Sequence, residues 1–176
     1  IGHVLRGGWC IVPALLEADD RFGSLAAEVG DDGRLRGEKF FVDHAAFATH
    51  HLVAALRHGE PGLFLVDARG PALTLQPTRS IGRTPQARVR YDGAAAEAVC
   101  GSDGIACLVN VARALCAVQA VACMQKALEM TVEYTALRQQ FGKPIGSFQA
   151  VQHHAADMAI DVASTRLLAF EALAAL

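Results

Sequence analysis

The sequence has few aromatic residues, few prolines and almost no excess of charge of either sign. Of its 176 residues only 6% are aromatic and six are proline, while 16 Lys and Arg stand against 18 Asp and Glu, a formal net charge of −2. Without a positive excess the chain lacks the clustered basic surface that nucleic-acid binding requires. The 52% of hydrophobic residues excludes a disordered chain. We therefore expect a well-cored folded protein that does not bind nucleic acid.

Cysteine is also scarce, and its pattern excludes two kinds of site. The five cysteines are odd in number and have no CxxC spacing, so they predict neither a disulfide framework nor a zinc site. They are expected to be reduced, buried thiols: Cys10, Cys100, Cys107, Cys116 and Cys123. The first residues have no basic stretch followed by an apolar core, as a signal peptide would. These features predict a cytoplasmic protein, and the start at Ile1 suggests part of a longer chain.

The most apolar stretch, residues 105–124, is long enough to span a membrane. It carries Asn110, Arg113 and Gln119, however, and these polar groups are costly in lipid. The stretch therefore predicts a helix of a protein bundle, and no contact with a membrane.

The first hundred residues are interrupted by turn signals at short intervals, among them 31–33, 59–62 and 92–93. Between the turns lie seven runs rich in Val, Phe and Leu, which suit a pleated and half-buried surface. The runs cover 9–16, 25–29, 38–42, 51–56, 63–66, 73–77 and 87–91. Strands spaced about ten residues apart are typical of a small antiparallel barrel or sandwich. We expect this β domain to cover residues 1–101.

After residue 101 the turn signals stop and apolar residues recur at helical spacing. One long helix is predicted over 104–139 and a second from Ser147, as its cap, to residue 176. The loop 141–146 between them contains Gly and Pro, which end a helix. The fold class is therefore α+β, with residues 102–176 forming long antiparallel helices of a four-helix-type bundle. Two helices cannot bury both faces, so further helices must come from the rest of the protein or from another subunit.

The seven histidines give no metal-binding pattern. Two pairs are directly adjacent, at 50–51 and 153–154, so the rings of each pair point in different directions, and no HxxxH or HExxH spacing occurs. We predict no metal site.

The segment between the two predicted helices carries the most specific motif. Residues 138–153 read RQQFGKPIGSFQAVQH. This resembles the pattern R-x-Q-F-G-x-x-I-x-x-F-Q-x-x-Q-H of the acyl-CoA dehydrogenases, in which it joins two helices of the C-terminal bundle. The stretch 34–42 is similar to that family's middle-domain segment l-n-G-e-K-f-W-I-T, so the resemblance covers nearly the whole chain.

The resemblance implies a role in binding FAD. In the family the residues aligned with Arg138 and Gln149 bind the FAD of a neighbouring subunit, and the aromatic aligned with Phe141 packs near its adenosine half. Gln140 belongs to the same predicted set. An Arg fork suits a pyrophosphate, whereas Lys is a point charge. The structural alternatives are a helix-end charge for Arg138, a loop aromatic for Phe141 and a first-turn polar group for Gln149.

The sequence departs from the family at the loops that hold the flavin ring. The family's T-E-P-x-x-G-S becomes residues 16–24, with Leu16 for Thr, two extra residues, and Ser24 at the end. In the second loop Asp43 replaces the Thr of W-I-T. Two hydroxyl donors are lost, and a carboxylate lies near the site where the reduced flavin gathers negative charge. Ser24 and Asp43 remain the candidate flavin contacts of this domain.

No catalytic residue can be assigned from the sequence. The family's reaction needs a carboxylate to remove the α-proton, and most members place this Glu late in the helical domain. A minority place it before an Arg early in the long helix, where this chain has Ala112 before Arg113. Glu17 and Glu129 are other carboxylates, and solvation is the expected state of both.

Three hypotheses follow. The first is a subunit of a heteromeric FAD-dependent acyl-CoA dehydrogenase that completes the FAD site of a homologous partner subunit, acting on a bulky acyl-CoA such as a steroid side chain. The second is a self-sufficient homotetrameric acyl-CoA dehydrogenase with a divergent flavin loop. The third is a non-catalytic assembly subunit.

Overall fold

The structure, a computed structural model, describes residues 2–19 and 25–176. The candidate Ser24 lies outside these residues. The chain divides into two compact units, Ile1–Ala106 and Cys107–Leu176. The domain boundary predicted at Gly101 lies where the long helix begins, a few residues before this division.

The first unit is a barrel-like sheet. A short helix, α1 (Gly2–Leu5), precedes seven strands: β1 (Ile11–Ala14), β2 (Glu28–Val29), β3 (Arg34–Asp43), β4 (His50–Arg57), β5 (Glu60–Asp67), β6 (Leu73–Thr78) and β7 (Gln86–Gly101). Strands β4, β2, β3, β7 and β5 pair in a ring that closes on β4, with β1 added to β4 and β6 added to β7. The predicted barrel is confirmed. Most pairs are antiparallel, but β1 and β2 both run parallel to β4.

The local sequence explains the turns of this unit. The predicted turn at 31–33 joins β2 to β3 as a hairpin, with Gly33 at φ +68° and its N–H donating to the Gly30 carbonyl. The predicted turn at 92–93 is instead a bulge within β7, where Gly93 has φ +82° and the pairing with β3 shifts by one residue. A bulge lets the long strand bend around the barrel. The core is built mainly from small aliphatic side chains.

The second unit contains the two predicted helices. Helix α2 (Ser102–Leu137) and helix α3 (Gln149–Ala174) are joined by a two-stranded hairpin, β8 (Gln139–Gln140) and β9 (Lys143–Pro144), followed by a 3₁₀ turn, Ile145–Ser147. The predicted cap at Ser147 is wrong. Its hydroxyl donates to the Pro144 carbonyl at 2.7 Å, and Phe148 occupies the cap position of α3 without a side-chain hydrogen bond.

The two helices leave many large apolar side chains exposed. They are Leu115, Met130, Val132, Tyr134, Leu137, Ile160, Leu167, Leu168 and Phe170. In the described part of the chain, α2 is also the one helix long and apolar enough to cross a membrane by length and composition, with 17% of that window buried. The five cysteines are free, as expected, but all are exposed rather than buried. Three of them lie on α2, most of whose surface has no neighbour in this unit.

Candidate functional site

The hairpin between the helices presents an aromatic side chain to solvent. Phe141 and Gly142 form its turn with φ of +52° and +78°, the pair of left-handed conformations typical of a type I′ turn. Gly adopts this conformation freely, whereas an L residue such as Phe pays about 1–2 kcal/mol for it. Phe141 is nevertheless 92% exposed. Its ring meets the Phe148 ring edge-on, with the ring centroids 6.1 Å apart. The turn therefore holds a strained aromatic outward.

The predicted polar residues lie on the same hairpin and at the helix that follows it. The Arg138 carbonyl accepts from the Ile145 N–H at 2.8 Å, which ties the end of α2 to the 3₁₀ turn. Within the described residues the Arg138 guanidinium makes no hydrogen bond or ion pair, and it is exposed. Gln140 is exposed on β8, and Gln149 is exposed at the first residue of α3. The Arg138 backbone N–H donates to the Tyr134 carbonyl at 2.8 Å, but its side chain is not bonded to the last carbonyls of α2.

These groups together suit an anion that carries a flat ring. The Lys143 ammonium lies 4.4 Å from the centre of the Phe148 ring, so a second cation is held at the start of α3. The N-terminus of a helix itself favours negative charge, because its first N–H groups have no partner in the helix. The hairpin thus offers a guanidinium fork, carboxamides and an exposed aromatic face near one helix start.

The barrel carries a second feature, a small surface cleft. It has a volume of about 200 Å³ and is lined by Pro13, Leu15, Leu16, Phe40, Phe41 and Asp43. The two loops that the sequence comparison aligned with the flavin-ring loops thus meet here, and the Phe40 N–H donates to the Leu16 carbonyl at 2.9 Å. None of the described lining residues has a hydroxyl. The cleft is apolar apart from one carboxylate.

A bulge in β3 turns Asp43 and Phe41 toward this cleft. The pairing of β3 with β7 shifts between Lys39 and Val42, and Phe41 lies in that shift with φ +53°. The exposed Asp43 carboxylate accepts from the Gln86 side-chain amide at 2.8 Å. Asp43 is therefore held at the cleft by β7.

Glu17 is buried, so its expected solvation is wrong. Its carboxylate accepts from the backbone N–H groups of Ala26 and Ala27 and from the Lys39 ammonium at 2.7 Å, and Lys39 is fully buried. Burial acts to raise the pKa of Glu17, but the Lys39 bond and the two N–H bonds outweigh it and lower that pKa. Glu17 is thus a structural anion that ties the loop after β1 to β3. Glu129 is exposed as expected, beside Gln125 and Lys126.

A buried histidine and tyrosine form a polar pair inside the barrel. His51 Nε2 lies 3.3 Å from the Ala45 carbonyl oxygen, which can only accept, so Nε2 carries the proton. His51 Nδ1 then accepts from the Tyr91 hydroxyl at 2.9 Å. Burial lowers the pKa of His51 and raises the pKa of Tyr91. His51 is therefore neutral in the folded protein near pH 7.

The buried His51 should make the stability depend on pH. Because its folded pKa lies below the ordinary 6.5, the unfolded chain takes up a proton first as the pH falls. We expect the free energy of unfolding to fall below pH 6.5, by at most about 1.4 kcal/mol per pH unit for this one group, until the folded pKa is reached. Urea unfolding of the chain between pH 8 and pH 5 measures this.

The control for this prediction is His51→Gln, which keeps a donor and an acceptor but does not titrate. It should remove the part of the decline that begins at pH 6.5, while the loss linked to Glu17 begins only below pH 4.5. An identical decline in both proteins would contradict the assignment to His51.

Sequence reasoning missed the roles of Lys39, His51 and Tyr91. The signal was the alternation of inward and outward residues along a strand. Counting by twos from the buried Leu35 places Lys39 inside, and counting back from Val53 places His51 inside. No group of three or more His, Cys, Asp or Glu side chains that could hold a metal lies among the described residues. Ala112 is exposed on α2.

Comparison with known proteins decides the family. The sequence model described as acyl-CoA dehydrogenase, C-terminal domain, matches residues 102–176. The acyl-CoA dehydrogenase IpdE2 of Mycobacterium tuberculosis is 35% identical over 121 residues, which are 69% of this chain and 35% of that protein. The chain belongs to the acyl-CoA dehydrogenase family.

Solved structures extend this relationship to the barrel. The Tcur3481-Tcur3483 steroid ACAD, in a variant form, is 34% identical with a TM-score of 0.86 over 98% of this chain and 49% of that one. The ChsE4-ChsE5 complex of Mycobacterium tuberculosis is 28% identical with a TM-score of 0.85, over 97% of this chain and 48% of that one. The predicted resemblance is confirmed. The chain spans about a third to a half of the length of these acyl-CoA dehydrogenases.

Proposed function

We propose that this chain is a subunit of a flavin-dependent acyl-CoA dehydrogenase, and that Arg138, Gln140, Phe141 and Gln149 complete the FAD site of a homologous partner subunit. The observation that carries the proposal is the contrast between its two candidate surfaces. The hairpin between α2 and α3 has the groups that FAD needs at its adenosine and pyrophosphate end. The barrel cleft lacks the groups needed at the flavin ring.

The hairpin fits the adenosine diphosphate half of FAD by the chemistry of its groups. Arg138 is exposed and has no ion-pair partner in the described chain, so it is free to bind a pyrophosphate in a bidentate manner. Phe141 is held in a strained conformation that leaves its ring open for stacking. The carboxamides of Gln140 and Gln149 can both donate and accept. Strain retained at an exposed residue is typical of a binding position.

The barrel cleft fits the flavin ring poorly. Leu16 and Asp43 stand where the family has hydroxyl donors, and each lost hydrogen bond weakens binding by about 0.5–1.5 kcal/mol. The Asp43 carboxylate also repels the negative charge of a reduced flavin. The chemistry of the described cleft residues therefore favours a flavin ring bound in the pocket of another subunit.

FAD held with the help of Arg138, Phe141 and Gln149 would supply the acceptor for the hydride of the acyl-CoA β-carbon. The α-proton must be removed by a carboxylate, and the described residues offer no clear one. Glu17 is occupied by three donors, and position 112 is an alanine. We propose that the base lies outside this chain, in the rest of the protein or in the partner.

The substrate, location and assembly are proposed from the same relationship. A bulky acyl-CoA of the steroid type fits the name of one structural relative, the Tcur3481-Tcur3483 steroid ACAD. The exposed apolar side chains of α2 and α3 then become buried against further helices of the enzyme rather than against lipid. We propose a cytoplasmic enzyme in which this chain pairs with a homologous subunit.

The test is the flavin absorbance of the purified protein, alone and after co-expression with its homologous partner. The proposal expects bound FAD only in the complex. A yellow protein without the partner would contradict it and support a self-sufficient homotetramer. A colourless protein in both states would support an assembly subunit instead.

The variant Arg138→Lys should weaken FAD binding by the complex. Lys keeps the charge but loses the planar fork, and a charge-assisted hydrogen bond is worth about 1.5–3 kcal/mol. We therefore expect an FAD dissociation constant about 10- to 100-fold higher, measured by titration of the apo complex with FAD.

The matched control is Arg166→Lys, since Arg166 is also exposed, on α3, and lies away from the hairpin in sequence. It should leave the dissociation constant unchanged. Equal affinity of the Arg138→Lys and wild-type complexes would rule out a bidentate contact by Arg138.

A further inference from the structure

The segment that leads from the end of β3 into the 3₁₀ helix Ala45–Phe47 is strained. Phe41 and His44 have φ of +53° and +54°, a conformation that residues other than Gly rarely adopt. Such a conformation persists only where the surrounding structure holds it. Between these two residues lies Asp43, which carries the one charged side chain among the described residues that line the barrel cleft. The strained backbone is therefore the segment that positions this carboxylate.

Besides the pairing of Val42 and Asp43 with β7, three hydrogen bonds hold the segment, and they differ in burial. The His44 N–H donates to the Pro85 carbonyl at 2.7 Å, and the Gln86 amide donates to the exposed Asp43. The third contact comes from inside the barrel, where His51 Nε2–H donates to the Ala45 carbonyl. Ala45 is buried and directly follows the left-handed His44. The inner contact thus fixes the backbone immediately after the strained residue.

The His51–Tyr91 pair is an unusual choice for an apolar core. His51 is 0% and Tyr91 1% exposed, and their rings meet edge-on with centroids 5.9 Å apart. The residues opposite His51 in the adjoining strands are Val12 and Val66. Two apolar side chains of similar shape would fill this space, but they would leave the buried Ala45 carbonyl without its donor. Packing alone does not account for the pair.

We propose that His51 is a positioning residue for the barrel cleft. Tyr91 donates to Nδ1 and so fixes the tautomer in which Nε2 carries a proton. Nε2–H in turn holds the Ala45 carbonyl and, through it, the strained Phe41–Ala45 segment. The pair thereby keeps the negative charge of Asp43 at the cleft. That this charge excludes a flavin ring from the cleft rests on the proposed function. The positioning of Asp43 by His51 does not.

The test is hydrogen–deuterium exchange of the full chain at pH 7.5, read by mass spectrometry in residues 41–47. The double variant His51→Leu/Tyr91→Phe removes the donor to Ala45 while keeping the core apolar. We expect exchange in 41–47 to become about tenfold faster, because a buried carbonyl loses its hydrogen bond. Exchange in the β5 segment 63–66 should stay as in the wild type.

The conservative variant His51→Gln separates positioning from packing. Its carboxamide can donate to Ala45 and accept from Tyr91, so exchange in 41–47 should return to the wild-type rate. Fast exchange in this variant, equal acceleration in 63–66, or a wild-type rate in the double variant would each overturn the proposal.

If the double variant does not fold, Tyr91→Phe decides the question. Loss of the hydroxyl that fixes the His51 tautomer should give a smaller acceleration confined to 41–47, and an unchanged rate there would overturn the proposal. None of these measurements involves FAD. A negative exchange result would therefore not contradict the proposed FAD site. A negative flavin-absorbance result would not contradict the positioning role of His51.

Discussion

The variant Gly37→Ala should prevent the barrel from folding or cost at least about 3 kcal/mol of the free energy of unfolding. A Cβ at this position would lie 2.7 Å from both the Cα and the Cβ of Ala27, and the backbone has φ +141°. Strain and overpacking each cost about 1–3 kcal/mol.

Ala27 has no room to retreat from the added methyl group. It is 1% exposed, its N–H donates to Glu17 at 3.0 Å, and its carbonyl accepts from the Leu56 N–H at 2.8 Å. The close contact between β3 and the residue before β2 is therefore backbone against backbone. Urea unfolding followed by circular dichroism measures the loss.

The control is Gly33→Ala in the hairpin before β3. Gly33 also has a positive φ, +68°, but an added Cβ there meets nothing within 4 Å. We expect a loss of only about 1 kcal/mol, from the backbone conformation alone. Equal losses in the two variants would show that the contact with Ala27 does not matter.

The variant Lys39→Met should destabilise the same unit by about 3–5 kcal/mol, since it leaves the buried Glu17 carboxylate without its counter-ion. Lys39 is 0% and Glu17 9% exposed, so water cannot replace the lost ammonium without opening the structure. The remaining bonds come from the Ala26 and Ala27 N–H groups. The unfolding midpoint in urea measures the change.

Two further variants test the cause. Lys39→Met/Glu17→Gln should be more stable than Lys39→Met, because no unpaired charge is left while a carboxamide oxygen still accepts from Ala27. Arg36→Met on the same strand as Lys39 breaks an exposed ion pair with Asp32 of the preceding turn, in which the two side chains are 54% and 45% exposed. It should barely move the midpoint. If the double variant is no better than Lys39→Met, the unpaired carboxylate is not the source of the loss.

These two positions matter for the cleft as well as for stability. Gly37 and Lys39 fix β3 against the loop after β1, and the cleft lies where these two segments meet. A variant that loosens either contact should therefore disturb the cleft more than the hairpin between α2 and α3, which belongs to the other unit.

Local sequence patterns were sufficient to predict most of the fold. Each of the seven apolar runs contains or overlaps a strand, and the two helices lie within a few residues of their predicted bounds. Turn residues and apolar periodicity act locally, so a single sequence reveals them. The motif at 138–153 also identified the family, because its spacing is long and specific. The assignment of Arg138, Gln140, Phe141, Gln149, Ser24 and Asp43 to FAD stays a prediction. For Asp43 it competes with the proposal that this carboxylate keeps the flavin ring out of the cleft.

The tertiary structure decided what happens to charged and polar side chains. Glu17 was expected in solvent, yet it is buried because Lys39 reaches it from a strand 22 residues away. The cysteines were expected inside, yet all five are exposed. For the three on α2, the reason is that an apolar helix is buried only where another element covers it.

The sequence by itself therefore determined the order of strands and helices and the family, and it supplied the candidate FAD-binding residues of the hairpin. Only the fold decided that Leu16 and Asp43 share one cleft, that His51 bonds Ala45, and that Phe141 points outward. The first of these joins residues far apart in the chain, and all three are features of the folded backbone. They depend on register, bulges and burial, which no local pattern encodes.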